Sequence, residues 1–132
     1  YVLDQYQPDS MVFLGAGGGR SDHMLNNLHI CASVKSGIKI CFKREIPLEN
    51  GISEEIIYRL TSETIIDLKV THPNIISVLP VTNYTGLSSS GLKWELDNFS
   101  STTGNISQSN TSLVSDPKFT LVKGCAYIAV YQ

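Results

Sequence analysis

Apolar and polar positions alternate along several stretches of this chain and follow a helical period along one. Met11-Val12-Phe13-Leu14 is a short apolar run ended by Gly15-Ala16-Gly17-Gly18-Gly19, which reads as a strand running into a turn. From Leu28 to Val34, Ile30, Ala32 and Val34 alternate with His29, Cys31 and Ser33. After a turn at Lys35-Ser36-Gly37, Ile38, Ile40 and Phe42 share one face and Lys39, Cys41 and Lys43 the other. These two segments are predicted to pair as an antiparallel hairpin. The helical period follows, from about Ser53 to about Val70. Ser53 suits an N-cap, and Glu54 and Glu55 suit the first turn, where the backbone dipole favours negative charge. At about 100° per residue, Ile56, Leu60 and Glu63 fall within roughly 60° of one another, which puts a carboxylate on the apolar stripe. Such a carboxylate needs a cation from elsewhere in the chain.

The helix is predicted to stop before Pro73, because the residue ahead of a proline is pushed out of the helical region. Asn74 to Val81 is β-branched and reads as a strand. Between Thr82 and Ser115 the sequence turns to Ser, Thr, Asn and Gly, and this low-complexity insertion is predicted to be poorly ordered. It holds Asn-X-Ser/Thr sequons at Asn83, Asn98, Asn105 and Asn110, which a composition of this kind generates by chance. Phe119 to Val122 and Cys125 to Tyr131 are two more extended runs, separated by Lys123-Gly124.

Composition narrows the function classes. The chain has 132 residues, 42% of them hydrophobic, which suits one small domain with one core. Ten Lys and Arg against twelve Asp and Glu, with no basic run, argue against nucleic acid or an anionic membrane as the partner. Three cysteines without paired spacing suit a reducing compartment, and no stretch reads as a transmembrane span or signal peptide, so a cytoplasmic protein is expected. The chain begins without Met and stops on Ile128-Ala129-Val130-Tyr131-Gln132, in mid-strand by pattern, which reads as a fragment.

The order and spacing of these features resemble the amino-terminal lobe of the eukaryotic protein kinases. Gly15 to Gly19 stand at the glycine loop, Cys41-Phe42-Lys43 at the strand that ends in a lysine, Glu63 at the helix glutamate, and His72-Pro73-Asn74-Ile75-Ile76 at the turn before the fourth strand. Arg59-Leu60-Thr61-Ser62-Glu63 is similar to a fungal subfamily related to salt-tolerance and nutrient-permease regulators. The resemblance implies an α+β fold, a kinase-like lobe of about five antiparallel strands with one principal helix. It also implies an ATP-dependent serine/threonine protein kinase with a protein substrate. Lys43 and Glu63 would form the catalytic ion pair. Gly15, Ala16, Gly17, Gly18, Gly19, Cys41, Lys43 and Tyr131 would surround ATP. The Mg2+ ligands and catalytic loops would lie in a second lobe beyond Gln132.

Three other readings compete. Arg20 stands where the kinase pattern has its last glycine, which makes a partner-binding, pseudokinase-like lobe without ATP the first alternative. A strand at Met11 to Leu14, the glycines and a helix from Asp22 to Leu28 would open a dinucleotide-binding βαβ unit, although Ser33 to Phe42 contains no acidic residue for a ribose. His23, His29 and Cys31 could contribute to a zinc site but lack a second clustered pair.

Overall fold

The structure is a computed structural model and describes residues 2–17, 19–35, 37–71, 73–79, 81–101 and 107–132. A short helix α1 (Val2–Tyr6) leads to strand β1 (Ser10–Leu14), helix α2 (Ser21–Ala32) and strand β2 (Lys39–Leu48). β1 and β2 run parallel, with Phe13 opposite Phe42, so the helix between them is a βαβ crossover. The alternation of Ile30, Ala32 and Val34 pointed to a strand there. The helix forms instead, because Met24, Leu28 and Cys31, spaced by four and three, put one stripe on the sheet. The helix of the βαβ reading is therefore present, and the antiparallel hairpin of Leu28–Val34 with Ile38–Lys43 is not.

The larger correction concerns Ser53 to Val70. Gly51–Thr61 is strand β3, paired antiparallel with β2, and the chain beyond it crosses the sheet in irregular extended form. Ile56 and Leu60 fit a helical stripe, but β3 is buried continuously from Glu55 to Thr61 apart from half-buried Tyr58, since both its faces are covered. A strand buried on both faces loses the alternation that identifies strands. A kinase-like lobe of five antiparallel strands around one principal helix is thus excluded. The fold is a mixed seven-stranded sheet with two helices among the described residues.

The remaining strands are β4 (Ile75–Leu79), β5 (Tyr84–Thr85), β6 (Ser88–Ser90), β7 (Asn110–Thr111), β8 (Lys118–Thr120) and β9 (Lys123–Tyr131). The main sheet has the order β1-β2-β3-β9-β4-β7, β5 pairs with one end of β9, and β6 and β8 form a second small sheet. The strands expected at Asn74–Val81 and Cys125–Tyr131 are β4 and β9. The Ser/Thr/Asn-rich segment is not an ordinary loop: within it Tyr84, Leu87, Leu92 and Leu96 are buried. His72, Pro80 and residues 102–106, with the sequon at Asn105, lie outside the described residues.

The two faces of the sheet bury separate cores. On one, α2 packs on Ile40, Phe42, Ile57, Tyr127 and Ala129, with Phe13 stacked on Phe42 at 5.0 Å between ring centroids. On the other, Leu60, Ile76, Val78, Ile128 and Val130 pack under Ile66, Leu68 and Val70 and the layer carrying Leu87, Leu92 and Phe119. β9 serves both, since Cys125, Tyr127 and Ala129 face α2 while Ala126, Ile128 and Val130 face away.

One charged side chain lies inside the α2 core. Arg59 is 1% exposed, and its guanidinium donates to the main-chain carbonyls of Cys31 (2.7 Å), Val34 (2.8 Å), Lys35 (2.9 Å) and Ile38 (2.6 Å). Cys31 belongs to the last turn of α2 and the other three to the segment that joins it to β2, so one guanidinium ties the end of the helix and its connection to the sheet. Beside it, the Tyr127 hydroxyl donates to Leu28 O at 2.6 Å. Arg59→Met is expected to cost about 3 kcal/mol or more, since hydrogen bonds to four main-chain carbonyls are lost at once. Urea unfolding measures it, and a loss under about 1 kcal/mol would mean that other donors replace the guanidinium.

Burial, then the nearby Cys125 and Cys31 thiols, push the Tyr127 phenol far above its ordinary value of 10.0. Tyr58, Tyr84 and Tyr131 shift in the same direction, mainly by burial. The folded state keeps these protons where the unfolded chain loses them, so their stabilisation is complete below the unfolded pKa and declines as pH rises beyond about 10. Tyr127→Phe should remove up to about 1.4 kcal/mol per pH unit of that alkaline decline, as read from denaturant midpoints at a series of pH values.

Candidate functional site

The glycine turn occupies the C-terminal end of β1 and feeds the N-terminus of α2. Gly15 and Gly19 have φ of +69° and +76°, a region that side chains with a Cβ enter only at a cost. Three hydrogen bonds fix the turn from below. The Gly15 amide donates to Lys43 O at 3.0 Å, Asn27 Nδ2 donates to Ala16 O at 3.1 Å, and Arg44 Nη1 donates to Gly17 O at 2.8 Å. A trans peptide sets its N–H opposite its C=O, so holding the Ala16 carbonyl inward directs the Gly17 amide outward. Arg20 follows the turn in extended conformation at the N-cap of α2 and makes no side-chain cap. Its guanidinium grips Asp22 through two bonds, Nε to Oδ1 at 3.1 Å and Nη2 to Oδ2 at 2.6 Å, in full view of solvent. That fork holds the Asp22 carboxyl below its usual range. The outward Gly17 amide, the helix N-terminus and the exposed Arg20 guanidinium are groups whose chemistry suits phosphate oxygens.

A second locus lies in the Ser/Thr/Asn-rich segment. Trp94 is the chain's single tryptophan and is 57% exposed, yet its backbone is held firmly. Asn110, 2% exposed, accepts the Trp94 amide through Oδ1 (3.2 Å) and donates to the Trp94 carbonyl through Nδ2 (2.6 Å). Glu95 closes the same turn by accepting the amides of Gly91 (2.7 Å) and Leu92 (3.1 Å) and the Ser89 hydroxyl (2.7 Å). The Lys93 ammonium stands 4.6 Å from the Trp94 ring centroid. The sequon at Asn110 is therefore a buried structural amide. Neither Asn110 nor Glu95 stands out in the sequence; the signal available was an isolated Trp within a polar segment.

The residues expected to surround ATP are divided by the sheet. Gly15, Ala16, Gly17 and Gly19 share the turn, and Gly18 lies outside the described residues. Tyr131 is on the α2 face, where it hydrogen-bonds Glu55. Cys41 and Lys43 leave β2 on the opposite face, where Cys41 is half-buried and burial raises its thiol pKa. Lys43 Nζ pairs with Glu54 Oε1 at 3.9 Å. Glu63 is exposed in the turn after β3, with its carboxylate beside Gly37. The proposed Lys43–Glu63 pair fails for a geometric reason: without a helix at Ser53–Val70, nothing carries Glu63 back to Lys43. Near Cys41, a cleft of about 220 Å3 is lined by residues including Val12, Lys39, Tyr58 and Asp67. Among the described residues no group of three or more His, Cys, Asp or Glu could hold a metal ion, and His23, His29 and Cys31 form no such group.

The fold has counterparts among known proteins. The family model described as thiamin pyrophosphokinase, vitamin B1 binding domain, matches residues 63–126. The fold is similar to thiamine pyrophosphokinase from Bacillus subtilis, with a TM-score of 0.72 and 26% identity over 97% of this chain and 57% of that one. It is also similar to the enzyme from Candida albicans, with a TM-score of 0.68 and 19% identity over 92% and 43% of the two chains. For the yeast enzyme the TM-score is 0.65, with 20% identity over 99% and 42%. No curated protein sequence matches. The chain spans little more than half the length of the Bacillus protein.

These similarities overturn the protein-kinase reading as a whole. The serine/threonine kinase activity, the salt-tolerance subfamily, the protein substrate, and ATP with Mg2+ completed by a kinase second lobe all go with it. No helix among the described residues is long and apolar enough to cross a membrane. Lys43 and Glu54 are both more than a third exposed, so their pair is a surface pair. Lys43→Met should change stability by less than about 1 kcal/mol, and a chemical-denaturation curve displaced further would show that Lys43 carries more than this contact.

Proposed function

We propose that this chain binds thiamine and forms part of a thiamine pyrophosphokinase, which moves a diphosphoryl group from ATP to the hydroxyl of thiamine. The vitamin B1 binding domain matched over residues 63–126 carries this reading. In the reaction the hydroxyl oxygen attacks the β-phosphorus of ATP, the bond from that phosphorus to the α–β bridging oxygen breaks, and AMP leaves. The hydroxyl proton passes to a base or to solvent.

Each locus has chemistry suited to one of these substrates, and because they lie in layers on opposite faces of the sheet, a transfer between them requires the loci of two copies of the chain to meet. Thiamine is aromatic and carries a fixed positive charge on its thiazolium ring, a combination that favours the face of a tryptophan. Trp94 offers such a face on a backbone held by Asn110 and Glu95, and the Lys93 ammonium beside the ring already illustrates its attraction for a cation. The glycine turn offers the Gly17 amide and Arg20 to a diphosphoryl group, which needs positioning and charge neutralisation more than covalent help. The described residues supply no cluster suited to a metal ion, so no step is assigned to one.

Isothermal titration of the intact protein with thiamine should give saturable binding. Trp94→Ala should weaken it about tenfold, a cation–π contribution of about 1.4 kcal/mol, without loss of fold, because the contacts that hold the turn are made by its backbone. Intact wild-type protein that takes up no thiamine at millimolar concentration would overturn the proposal.

A further inference from the structure

At the end of the α2 face nearest the glycine turn, the apolar rows give way to three polar side chains. Arg44 on β2 lies directly opposite Glu55 on β3, which lies directly opposite Tyr131 on β9. The row beneath them, Phe42, Ile57 and Ala129, is wholly apolar. Glu55 is 2% exposed, and Arg44 Nε donates to its Oε2 while Tyr131 hydrogen-bonds the same carboxylate. Removing a carboxylate from water is costly, and a well-packed apolar pair often serves stability as well or better. The ion pair therefore calls for a role besides stability, and the second arm of the arginine supplies one. Arg44 Nη1 donates to Gly17 O at 2.8 Å, and Gly17 packs so close that an added Cβ would lie 3.1 Å from Arg44 Cδ.

We propose that Glu55 and Arg44 are positioning residues for the diphosphoryl group: the buried carboxylate orients the guanidinium, which holds the Gly17 carbonyl beneath the turn and so keeps that oxygen away from the oxygens of a phosphate. This rests on the reading of the turn as the phosphate site. Arginine is required because a planar fork can hold a carboxylate and a carbonyl at once, in fixed directions, whereas a lysine ammonium is a point charge without that geometry. Tyr131 occupies part of the remaining acceptor capacity of Glu55, so the carboxylate is not free to turn away.

The test uses intact protein, inorganic pyrophosphate and thiamine, each titrated calorimetrically against wild type, Glu55→Gln and Arg44→Lys. Wild type is expected to bind both ligands. Both variants should lose tenfold or more in pyrophosphate affinity and keep thiamine affinity within twofold. Arg44→Lys retains the positive charge, so its loss reports geometry, and it decides the matter if Glu55→Gln does not fold. Variants that bind pyrophosphate as wild type does would overturn the positioning role and leave the turn as the phosphate site. Equal losses for both ligands would reduce the pair to a structural role and overturn it too. Wild type that binds thiamine but no pyrophosphate would remove the phosphate reading of the turn itself.

Discussion

The architecture depends on how the sheet holds a single helix by its two ends. A twelve-residue helix is marginal in isolation, so α2 persists through its packing on the sheet and the contacts the sheet makes at its two ends. At the C-terminal end, Arg59 reaches through the core to the carbonyls of Cys31, Val34, Lys35 and Ile38. At the N-terminal end, Arg44 does the same for Gly17, in the turn that precedes the helix. Both side chains lie on the α2 face, with the aromatic and aliphatic rows between them. The hydrophobic effect brings the layers together without direction. The two guanidiniums give the helix its register and the glycine turn its shape.

β9 connects this layer to the rest of the molecule. Because its side chains alternate between two cores, it cannot shift by one residue without exchanging them. Tyr131 at its end contacts Glu55 behind the glycine turn, while Ile128 and Val130 pack beneath the layer that carries the Trp94 turn. The candidate phosphate and thiamine loci are thus built on opposite faces of one sheet and share its central strand. Buried side chains fix the backbone of each, Arg44 and Asn110 respectively.

The legible parts of the sequence were those with a single physical explanation. Met11 to Leu14 had to be extended, the glycines had to turn, and Cys125 to Tyr131 was too short and too continuously apolar to be anything but an interior strand. β3 was misread because a strand covered on both faces has no period of its own, and Ile56 with Leu60 then imitates a helix. The carboxylate argument had the right form and the wrong residue. A buried carboxylate does exist and does find a cation, but it is Glu55 with Arg44, which a cross-strand register brings together and a helical wheel cannot. The Ser/Thr/Asn-rich segment looked disordered because polar residues there do the work that hydrophobic periodicity does elsewhere. Asn110, Ser112 and Glu95 bond to backbone groups of neighbouring turns, and such pairings leave no pattern in one dimension.

The resemblance to a protein kinase failed for a reason that applies beyond this chain. A glycine turn, a strand ending in lysine and a Pro-Asn-Ile-Ile turn were matched in order and spacing, but order along the chain does not determine the face of a sheet. Lys43 stands one residue before Arg44, and alternation sends the two side chains to opposite sides. On the α2 side, Arg44 reaches beneath the glycine turn; on the other, Lys43 meets Glu54 at the surface. Side-chain cations nearest an anion on the turn are therefore arginines, Arg20 at its lip and Arg44 beneath it. A phosphate bound there would be gripped by backbone amides and planar guanidiniums whose directions are set by the fold, and the strand-end lysine that suggested a kinase would face away from it.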